Sequence, residues 1–395
     1  MKFILLVITV LLPSISHAFD TTFHVAIISM SDAESSNRGQ SFAGIQTRVE
    51  RPVQRAVELA LFESKTTFEA FEITPKLHLI DFSDDQPHDA QIAQIPKNAL
   101  VILDVPKSEF TKIATTLNDS GRVSINVRHP DTDLRDQLCL PLLYHTIPSE
   151  RMYFDALGQF LIYRGWRKVL IVHGPTDQDL DRVAILEKSL KKFGADISEV
   201  REFTLSHHPD DRDKNKPEFL TGGASYDVVA VIDSDRDFGR YIQYSTRRAR
   251  PVVGDVGLIP AGWHRTLERY GAPQLNERYQ KFDQTKQLPA SEAMSDAEFA
   301  AWSAVKLVTN SLNAADRSKN ILSPRQILSE PSAQVDLYKG TRGSIRRWNQ
   351  QLRQPVLLTT GDAVIAVAPM PKFLHPKHYV DTLGLDEPES PCRLK

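Results

Sequence analysis

The sequence alternates short apolar segments rich in β-branched residues with amphipathic segments, and this alternation restarts partway along the chain. Apolar runs separated by helical segments are typical of parallel strands joined by crossover helices. The first series of predicted strands covers residues 23–29, 76–82, 99–105 and 122–127, and the second covers residues 168–174, 226–233 and 250–258. We therefore predict an α/β protein with two doubly wound, Rossmann-like lobes.

Amphipathic segments with helix start and stop signals lie between and after these strands. The predicted helices cover residues 51–65, 108–119, 151–165, 180–195 and 298–315, and a short one begins at Pro324 with Ser323 as N-cap. The segments SIRRW, PVLLTT and AVIAVAP then return to strand patterns. At about 100–200 residues per domain, 395 residues suffice for two or three domains.

The N-terminal segment MKFILLVITVLLPSISHA has the pattern of a secretory signal peptide. Lys2 precedes an apolar run that ends before Pro13, and Ser16 and Ala18 supply the small residues of a cleavage site. A bilayer span needs about 20 apolar residues, so a retained membrane anchor is the poorer interpretation. We expect cleavage after Ala18 and a periplasmic protein that is not embedded in the membrane.

Charge and motif content argue against several classes of function. Lys plus Arg number 48 and Asp plus Glu number 50, so the net charge of -2 gives no electrostatic reason to expect a nucleic-acid partner. The sequence holds no GxSxG, GxGxxG, GxxxxGK(S/T) or HExxH pattern. An enzyme is the least favoured interpretation, and we expect no catalytic residue and no cofactor.

Two acidic segments resemble metal sites only superficially. The first is a polar loop with imidazole and carboxylate side chains, more typical of a solvated segment; its candidate ligands are His207, His208, Asp210, Asp211 and Asp213. The second has alternating aspartates from Asp177, but Arg182 stands where a calcium loop needs glycine and Lys188 where it needs a carboxylate. We therefore predict no metal site.

Cys139 and Cys392 are the only cysteines in the chain. Exported proteins with a small, even number of cysteines usually pair them, so we predict a disulfide that holds the polar C-terminal tail beside the first crossing between the lobes. The alternative is a pair of free buried thiols.

Several segments resemble a known family of exported proteins. They are QLCLPLLYHTIPSERMYFDAL, RGWRKVLIVHGPTDQD, YDVVAVID, GLIPAGWHR, AAWSAV, LYKGTRGSIRRWNQQLRQPVLL and DTLGLDEPESPC. The chain as a whole is similar to type I periplasmic binding proteins of the branched-chain amino-acid class. Within that class it resembles the ABC-transporter substrate-binding protein encoded with pyrroloquinoline quinone-dependent alcohol dehydrogenase systems.

This resemblance implies a signal peptide of residues 1–18, a first lobe of residues 19–144 plus 271–333, and a second lobe of residues 145–270 plus 334–395. Three chain crossings would form the hinge, and a small polar ligand would favour lobe closure by contacting both lobes. The implied partner is an inner-membrane ABC permease, and the protein is expected to be a monomer. The alternative is a periplasmic assembly or sensory factor that binds a protein of the dehydrogenase system.

Ligands of open α/β sheets gather at the carboxyl ends of the strands, and polar residues follow several predicted strands here. On the first lobe the candidates are Ser31, Asp104, Lys107, Arg128 and His129; on the second they are Asp177, Asp179, Asp233, Asp235 and Trp263. Aspartates at these positions also suit simple helix capping, and an aromatic residue after a strand also suits packing.

The candidate residues bias the chemistry of the ligand. Lys107 and Arg128 favour a carboxylate or another anion on the first lobe, while Asp177 and Asp233 favour hydroxyls, an amine or a cation on the second. Amino-acid binders typically have small Ser/Thr/Gly-rich turns after the third and fourth strands, whereas this chain has DVPKSE and VRHPDT. An ordinary α-amino acid is therefore not the expected ligand.

Overall fold

The computed structural model describes residues 22–30, 41–42, 45–46, 51–83, 85–204, 214–236, 238–285, 293–312 and 323–394. Its two main sheets consist entirely of parallel strands covered by helices, which confirms the predicted α/β class. Among the described residues, no helix has the length and apolar character needed to cross a membrane.

The first sheet forms the core of the first lobe. Its part of the chain contains β1 (Thr22–Met30), β2 (Ser41–Phe42), β3 (Ile45–Gln46), β4 (Thr74–Phe82), β5 (Leu100–Asp104), β6 (Val123–Asn126) and β7 (Leu143–His145). Five strands lie side by side in the order β4-β1-β5-β6-β7, and β2 pairs separately with β3. The central strand β5 is buried throughout, because helices cover both faces of the sheet.

Helices of two chain segments cover this sheet. The first segment supplies α1 (Gln54–Glu63), α2 (Lys65–Ala70), α3 (His88–Ala93), α4 (Lys107–Asp119) and α5 (Asp133–Asp136). The apolar side chains of α1 pack on one face of the sheet, and those of α3 and α4 pack on the other. The predicted helix 51–65 is interrupted at Ser64, between α1 and α2. The Ser64 hydroxyl lies 2.8 Å from Ala60 O and 3.0 Å from Thr309 Oγ1.

The second sheet forms the core of the second lobe. Its elements are α6 (Glu150–Arg164), β8 (Lys168–His173), α7 (Asp177–Phe193), β9 (Asp196–Glu202), α8 (Pro217–Leu220), β10 (Val228–Ile232), α9 (Gly239–Ile242) and β11 (Val252–Gly254). The strands are parallel in the order β11-β10-β8-β9. The edge strand β9 is largely solvent-exposed and polar, which is why its sequence gave no strand signal.

The predicted strand 250–258 is wrong in length, because the chain turns after β11. Gly254 has φ +109°, and a Cβ there would collide with the carbonyl oxygen of Val231. The chain then enters β12 (Ile259–Ala261), which joins β15 (Val356–Thr359) and β16 (Val364–Ala368) in an antiparallel sheet. Residues of this sheet belong to the cores of both lobes: Val356 and Leu358 to the second and Leu357 to the first.

The remaining elements are α10 (Ala272–Thr285), α11 (Asp296–Leu312), α12 (Pro324–Ser329), β13 (Gln334–Asp336), β14 (Arg342–Ser344) and two 3-10 turns at Pro371–Phe373 and Tyr379–Thr382. Apolar residues of α10, α11 and α12 belong to the core of the first lobe. The SIRRW segment is strand only at its start, since β14 ends at Ser344.

Buried polar side chains join the lobes at the hinge. Lys339 Nζ donates to Gly262 O at 2.9 Å, Gln354 Oε1 at 2.8 Å and Pro355 O at 2.9 Å. Gln354 Nε2 in turn donates to Thr146 O at 2.6 Å. Burial lowers the pKa of Lys339 to about 7. The chain segments that pass between the lobes are therefore held together mainly by hydrogen bonds to carbonyl groups.

The C-terminal tail bridges the hinge, and Cys139 and Cys392 form the predicted disulfide. Val380 and Leu383 are buried in the core of the second lobe. Beyond them the tail reaches Cys139, which precedes β7 of the first sheet. The tail therefore links the second lobe to the first covalently.

Candidate functional site

On the first lobe, a buried ion pair holds the ends of β5 and β6 together. Asp104, which is 1% exposed, ends β5 and accepts a hydrogen bond from Arg128 Nε at 2.6 Å as well as one from Arg128 Nη2. Asp104 also accepts from Val53 N at 3.2 Å, and Arg128 donates to Arg51 O at 3.1 Å. The two residues thus clamp adjacent strands to the segment that leads into α1.

The loop after β6 is organised by Asn126. Its Oδ1 accepts from the backbone amides of Arg128 at 3.2 Å and His129 at 2.9 Å, and its Nδ2 donates to His129 O at 2.7 Å. His129 Nε2 lies 2.8 Å from Val105 O, so this ring nitrogen carries the proton. Burial lowers the pKa of His129, which keeps the ring neutral and positions the loop rather than adding charge.

Lys107 is the most exposed cationic side chain among the first-lobe candidates. Its ammonium pairs with Asp131 while 59% of the side chain remains accessible. Burial alone would lower the pKa of Lys107, but the hydrogen bond and the charge of Asp131 outweigh it and raise the pKa. Glu150, at the start of α6 in the second lobe, also acts on Lys107 electrostatically. The edges of the two lobes therefore approach one another here.

On the second lobe, Asp179 joins the start of a helix to a neighbouring loop. Thr176 is the N-cap of α7; its hydroxyl accepts from Asp179 N at 3.1 Å and donates to Asp179 Oδ2 at 2.6 Å. Asp179 Oδ1 accepts from Ser234 N, after β10, at 2.8 Å. A Cβ on Gly174 would collide with the Asp179 carboxylate, so glycine is required for this close approach.

Asp233 is a buried carboxylate beside other carboxylates. Its Oδ2 accepts from Gly239 N, the first residue of α9, at 2.7 Å. Burial raises the pKa of Asp233 to about 6, and the charges of Asp255 and Asp179 act in the same direction. The capping interpretation of the sequence thus describes Asp233, whereas Asp179 binds the Thr176 hydroxyl and a loop amide.

Arg182 on α7 neutralises much of the remaining acidity. It binds Asp255 through two hydrogen bonds of 2.7 Å each and Glu150 through one of 2.8 Å. Burial would raise the pKa of Asp255, but the guanidinium reverses that effect and lowers the pKa. For Glu150 burial prevails and the pKa is raised. The residues Glu150, Arg182 and Asp255 were not predicted as site residues.

The other predicted residues have different positions. Asp177, in the first turn of α7, and Asp235, in the turn after β10, are exposed. Ser31 and the polar loop candidates from 207 to 213 lie outside the described residues. Trp263 is only 3% exposed, stacks on Phe299 at a centroid distance of 4.3 Å and donates to Asn276. The packing alternative describes Trp263, because its ring belongs to the core of the first lobe.

A buried arginine connects the first-lobe loop to the hinge. Arg135 donates to His129 O at 2.9 Å, Ile147 O at 3.2 Å and Gln351 Oε1 at 2.9 Å. Burial lowers its pKa to about 10. Arg135 therefore connects the hinge residue Gln351 to the loop that carries Arg128 and His129. Sequence reasoning missed Arg135, because its acceptors come from segments more than 200 residues apart.

Exposed charged groups lie at the edges of both lobes. Lys107 and Asp133 are exposed on the first lobe, and Asp177 and Asp235 are exposed on the second. Lys107 is paired with Asp131. Among the described residues, no group of three or more His, Cys, Asp or Glu side chains is placed to hold a metal ion.

Comparison with known proteins supports the fold of this chain and does not identify its ligand. No protein-family model matches the chain, and no curated protein sequence matches it. Several solved structures are similar over nearly their whole length. One is the leucine-, isoleucine-, valine-, threonine- and alanine-binding protein from Brucella ovis, with 11% identity, a TM-score of 0.67, and coverage of 95% of this chain and 99% of that one.

A branched-chain amino acid ABC transporter periplasmic ligand-binding protein from Burkholderia xenovorans has 11% identity and a TM-score of 0.66, covering 94% of this chain and 99% of that one. A solute-binding protein of an ABC transporter from R. palustris, in complex with benzoate, has 11% identity and a TM-score of 0.58, covering 94% and 100%. The chain therefore has the type I periplasmic binding-protein fold.

Proposed function

We propose that the chain is the periplasmic solute-binding component of an ABC importer and binds a small ligand between its lobes without catalysing a reaction. The observation that carries this proposal is the likeness to solute-binding proteins over 94–95% of the chain, with TM-scores of 0.66–0.67. The secretory pattern of residues 1–18 supports the periplasmic location. The hydrogen-bonded hinge supports closure around a ligand.

We assign residues 19–144 plus 271–333 to the first lobe and residues 145–270 plus 334–395 to the second. Supporting this division, apolar residues of α10, α11 and α12 pack with the first sheet, whereas Val380 and Leu383 of the tail pack with the second; β15 and β16 contribute residues to both cores. The inner-membrane permease is the partner that this role requires, and a monomer is sufficient for it.

The proposed ligand is a small molecule with a carboxylate group. The solved structures that resemble this chain include binders of leucine and related amino acids, of benzoate and of 3,4-dihydroxybenzoic acid, all of which carry a carboxylate. In this chain Lys107 offers an accessible ammonium at the first-lobe edge. A purely aliphatic alcohol has no anionic group to offer this ammonium, so it would gain none of the charge-assisted hydrogen bonds that a carboxylate gains.

The finer proposal links the ligand to alcohol oxidation that depends on pyrroloquinoline quinone. Its support is the resemblance of the segments quoted above, of which LYKGTRGSIRRWNQQLRQPVLL forms much of the hinge through Lys339, Gln351 and Gln354. The candidate ligands are therefore pyrroloquinoline quinone, which bears carboxylates, and the acids that alcohol oxidation produces.

Calorimetric titration of the mature protein with pyrroloquinoline quinone, acetate, benzoate and the matching alcohols tests this proposal. We expect one of the acids to bind with a 1:1 stoichiometry and raise the melting temperature, and the alcohols to have no effect. Lys107→Gln should weaken that binding, while Lys112→Gln, an exposed lysine one turn later on the same helix, should not. Binding of alcohols alone, or none by any compound, would contradict the proposal.

A further inference from the structure

The second lobe carries a surface with strong local positive charge. The segment 236–250, which follows β10 and contains α9, holds five arginines, one aspartate and no lysine, whereas the whole chain has a net charge of -2. Arg247, Arg248 and Arg250 are exposed. Within the described part of the chain, no carboxylate lies within ion-pair distance of these three guanidinium groups.

Exposed aromatic rings lie among these charges. Tyr244 is 91% exposed, Tyr241 is 60% exposed and Phe219 is 66% exposed. Arg247 N donates to Thr221 Oγ1 at 2.8 Å, which places the Phe219 segment beside the arginines. Large rings left in water together with arginines are the residue types enriched at protein interfaces.

Arg247, Arg248 and Arg250 differ from the buried arginines of the molecule. Arg128 is paired with Asp104, Arg182 with Asp255 and Arg346 with Asp381, all in buried or nearly buried positions. Arg247, Arg248 and Arg250 have no such ion pair among the described residues, so the fold does not explain their charge. A partner that supplies carboxylates does explain it, because the guanidinium group binds carboxylates through two parallel hydrogen bonds.

We propose that this arginine–tyrosine surface, formed by Phe219, Tyr241, Tyr244, Arg247, Arg248 and Arg250, docks on an acidic surface of a membrane protein. The inference rests on the proposed function, which makes the permease that protein. The arginines lie away from the candidate ligand residues: Arg250 comes just before β11, whose first residue pairs with Val229 near the start of β10, whereas Asp233 follows the end of β10. The docking surface is therefore separate from the candidate ligand site.

Binding of the mature protein to right-side-out vesicles of the host inner membrane tests the proposal. We expect saturable binding that weakens with salt, that falls roughly tenfold or more in Arg247→Glu/Arg248→Glu, and that disappears after the vesicles are treated with protease. The matched control is Arg164→Glu/Arg167→Glu, two exposed arginines elsewhere on the second lobe, which should leave binding unchanged. Tyr244→Ala should weaken binding, and Tyr163→Ala should not.

Three results would overturn the inference. Equal binding to protein-free liposomes of the extracted lipids would make lipid the occupant. Self-association that the Glu variants abolish would make a second copy of the chain the occupant. Equal binding of the wild-type protein and Arg247→Glu/Arg248→Glu would show that the arginines do not take part. Calorimetry with the cleft ligand separates the two proposals, since the Glu variants should bind it normally. A docking failure thus leaves the solute-binding role standing.

Discussion

The two halves of the candidate site are stabilised by different interactions. The first-lobe half depends on one ion pair between side chains of adjacent strands, Asp104 and Arg128. In the second-lobe half, backbone amides donate to Asp179 and Asp233, and Arg182 pairs with Asp255. The first half is therefore sensitive to the loss of a single charge, whereas the second is sensitive to pH.

The tail joins these halves, so breaking the disulfide should have the largest effect on stability. The bond closes a loop across a sequence separation of 253 residues. For a loop of this length the chain-entropy model gives on the order of 5 kcal/mol as an upper bound. Cys139→Ser/Cys392→Ser should lower the free energy of unfolding in urea by several kcal/mol. A loss below about 1 kcal/mol, or free thiols in the exported wild-type protein, would contradict the assigned link.

The first-lobe clamp gives the next largest effect. Arg128→Ala leaves the buried carboxylate of Asp104 without its cationic partner, and breaking such a pair costs about 3–5 kcal/mol. Urea denaturation should show this loss, whereas Arg325→Ala, at an exposed position on α12, should change stability by less than about 0.5 kcal/mol. Equal stability of Arg128→Ala and the wild-type protein would show that the clamp does not form.

A capping substitution probes the second-lobe half. Thr176→Ala removes the hydroxyl that accepts from Asp179 N and donates to Asp179 Oδ2, at a cost of about 1–2 kcal/mol. Thr176→Ser keeps both hydrogen bonds and should retain most of the stability. If the serine and alanine variants are equally destabilised, packing of the threonine methyl group matters and capping does not.

The pH dependence of stability tests the raised pKa of Asp233. A carboxyl whose pKa is raised from 3.8 to about 6 on folding favours the folded state below pH 3.8, and this contribution is lost as the pH rises through 6. Asp233→Asn keeps an acceptor for Gly239 N but cannot ionise. The variant should therefore lose less stability than the wild-type protein between pH 4 and pH 7. Parallel stability curves would contradict the raised pKa.

The sequence predicts the lobes better than it predicts the partners of charged residues. Strand runs such as β5 and β10 are continuous and apolar, so their pattern suffices, but the polar edge strand β9 has no such pattern. Asp104 and Arg128 were correctly placed after adjacent strands. Their mutual pairing depends on the lateral order of β5 and β6, which no local pattern specifies.

The partners of buried residues at the hinge are even harder to predict from the sequence. Lys339 resembles any surface lysine in the sequence, yet it is buried with three carbonyl acceptors from Gly262, Gln354 and Pro355. Trp263 is a candidate ligand contact in the sequence because it follows a predicted strand. Its stacking on Phe299 depends on the position of α11, which no local pattern specifies. Long-range packing therefore decides which polar and aromatic residues can reach a ligand.

Hydrogen exchange measured with and without a bound acid would test most directly whether the two halves form one site. On addition of pyrroloquinoline quinone, or of whichever acid binds in calorimetry, amides in 126–131 of the first lobe and in 174–179 and 233–239 of the second should become protected together. Protection on only one lobe, or confined to residues far from both strand edges, would contradict a ligand site shared between the lobes.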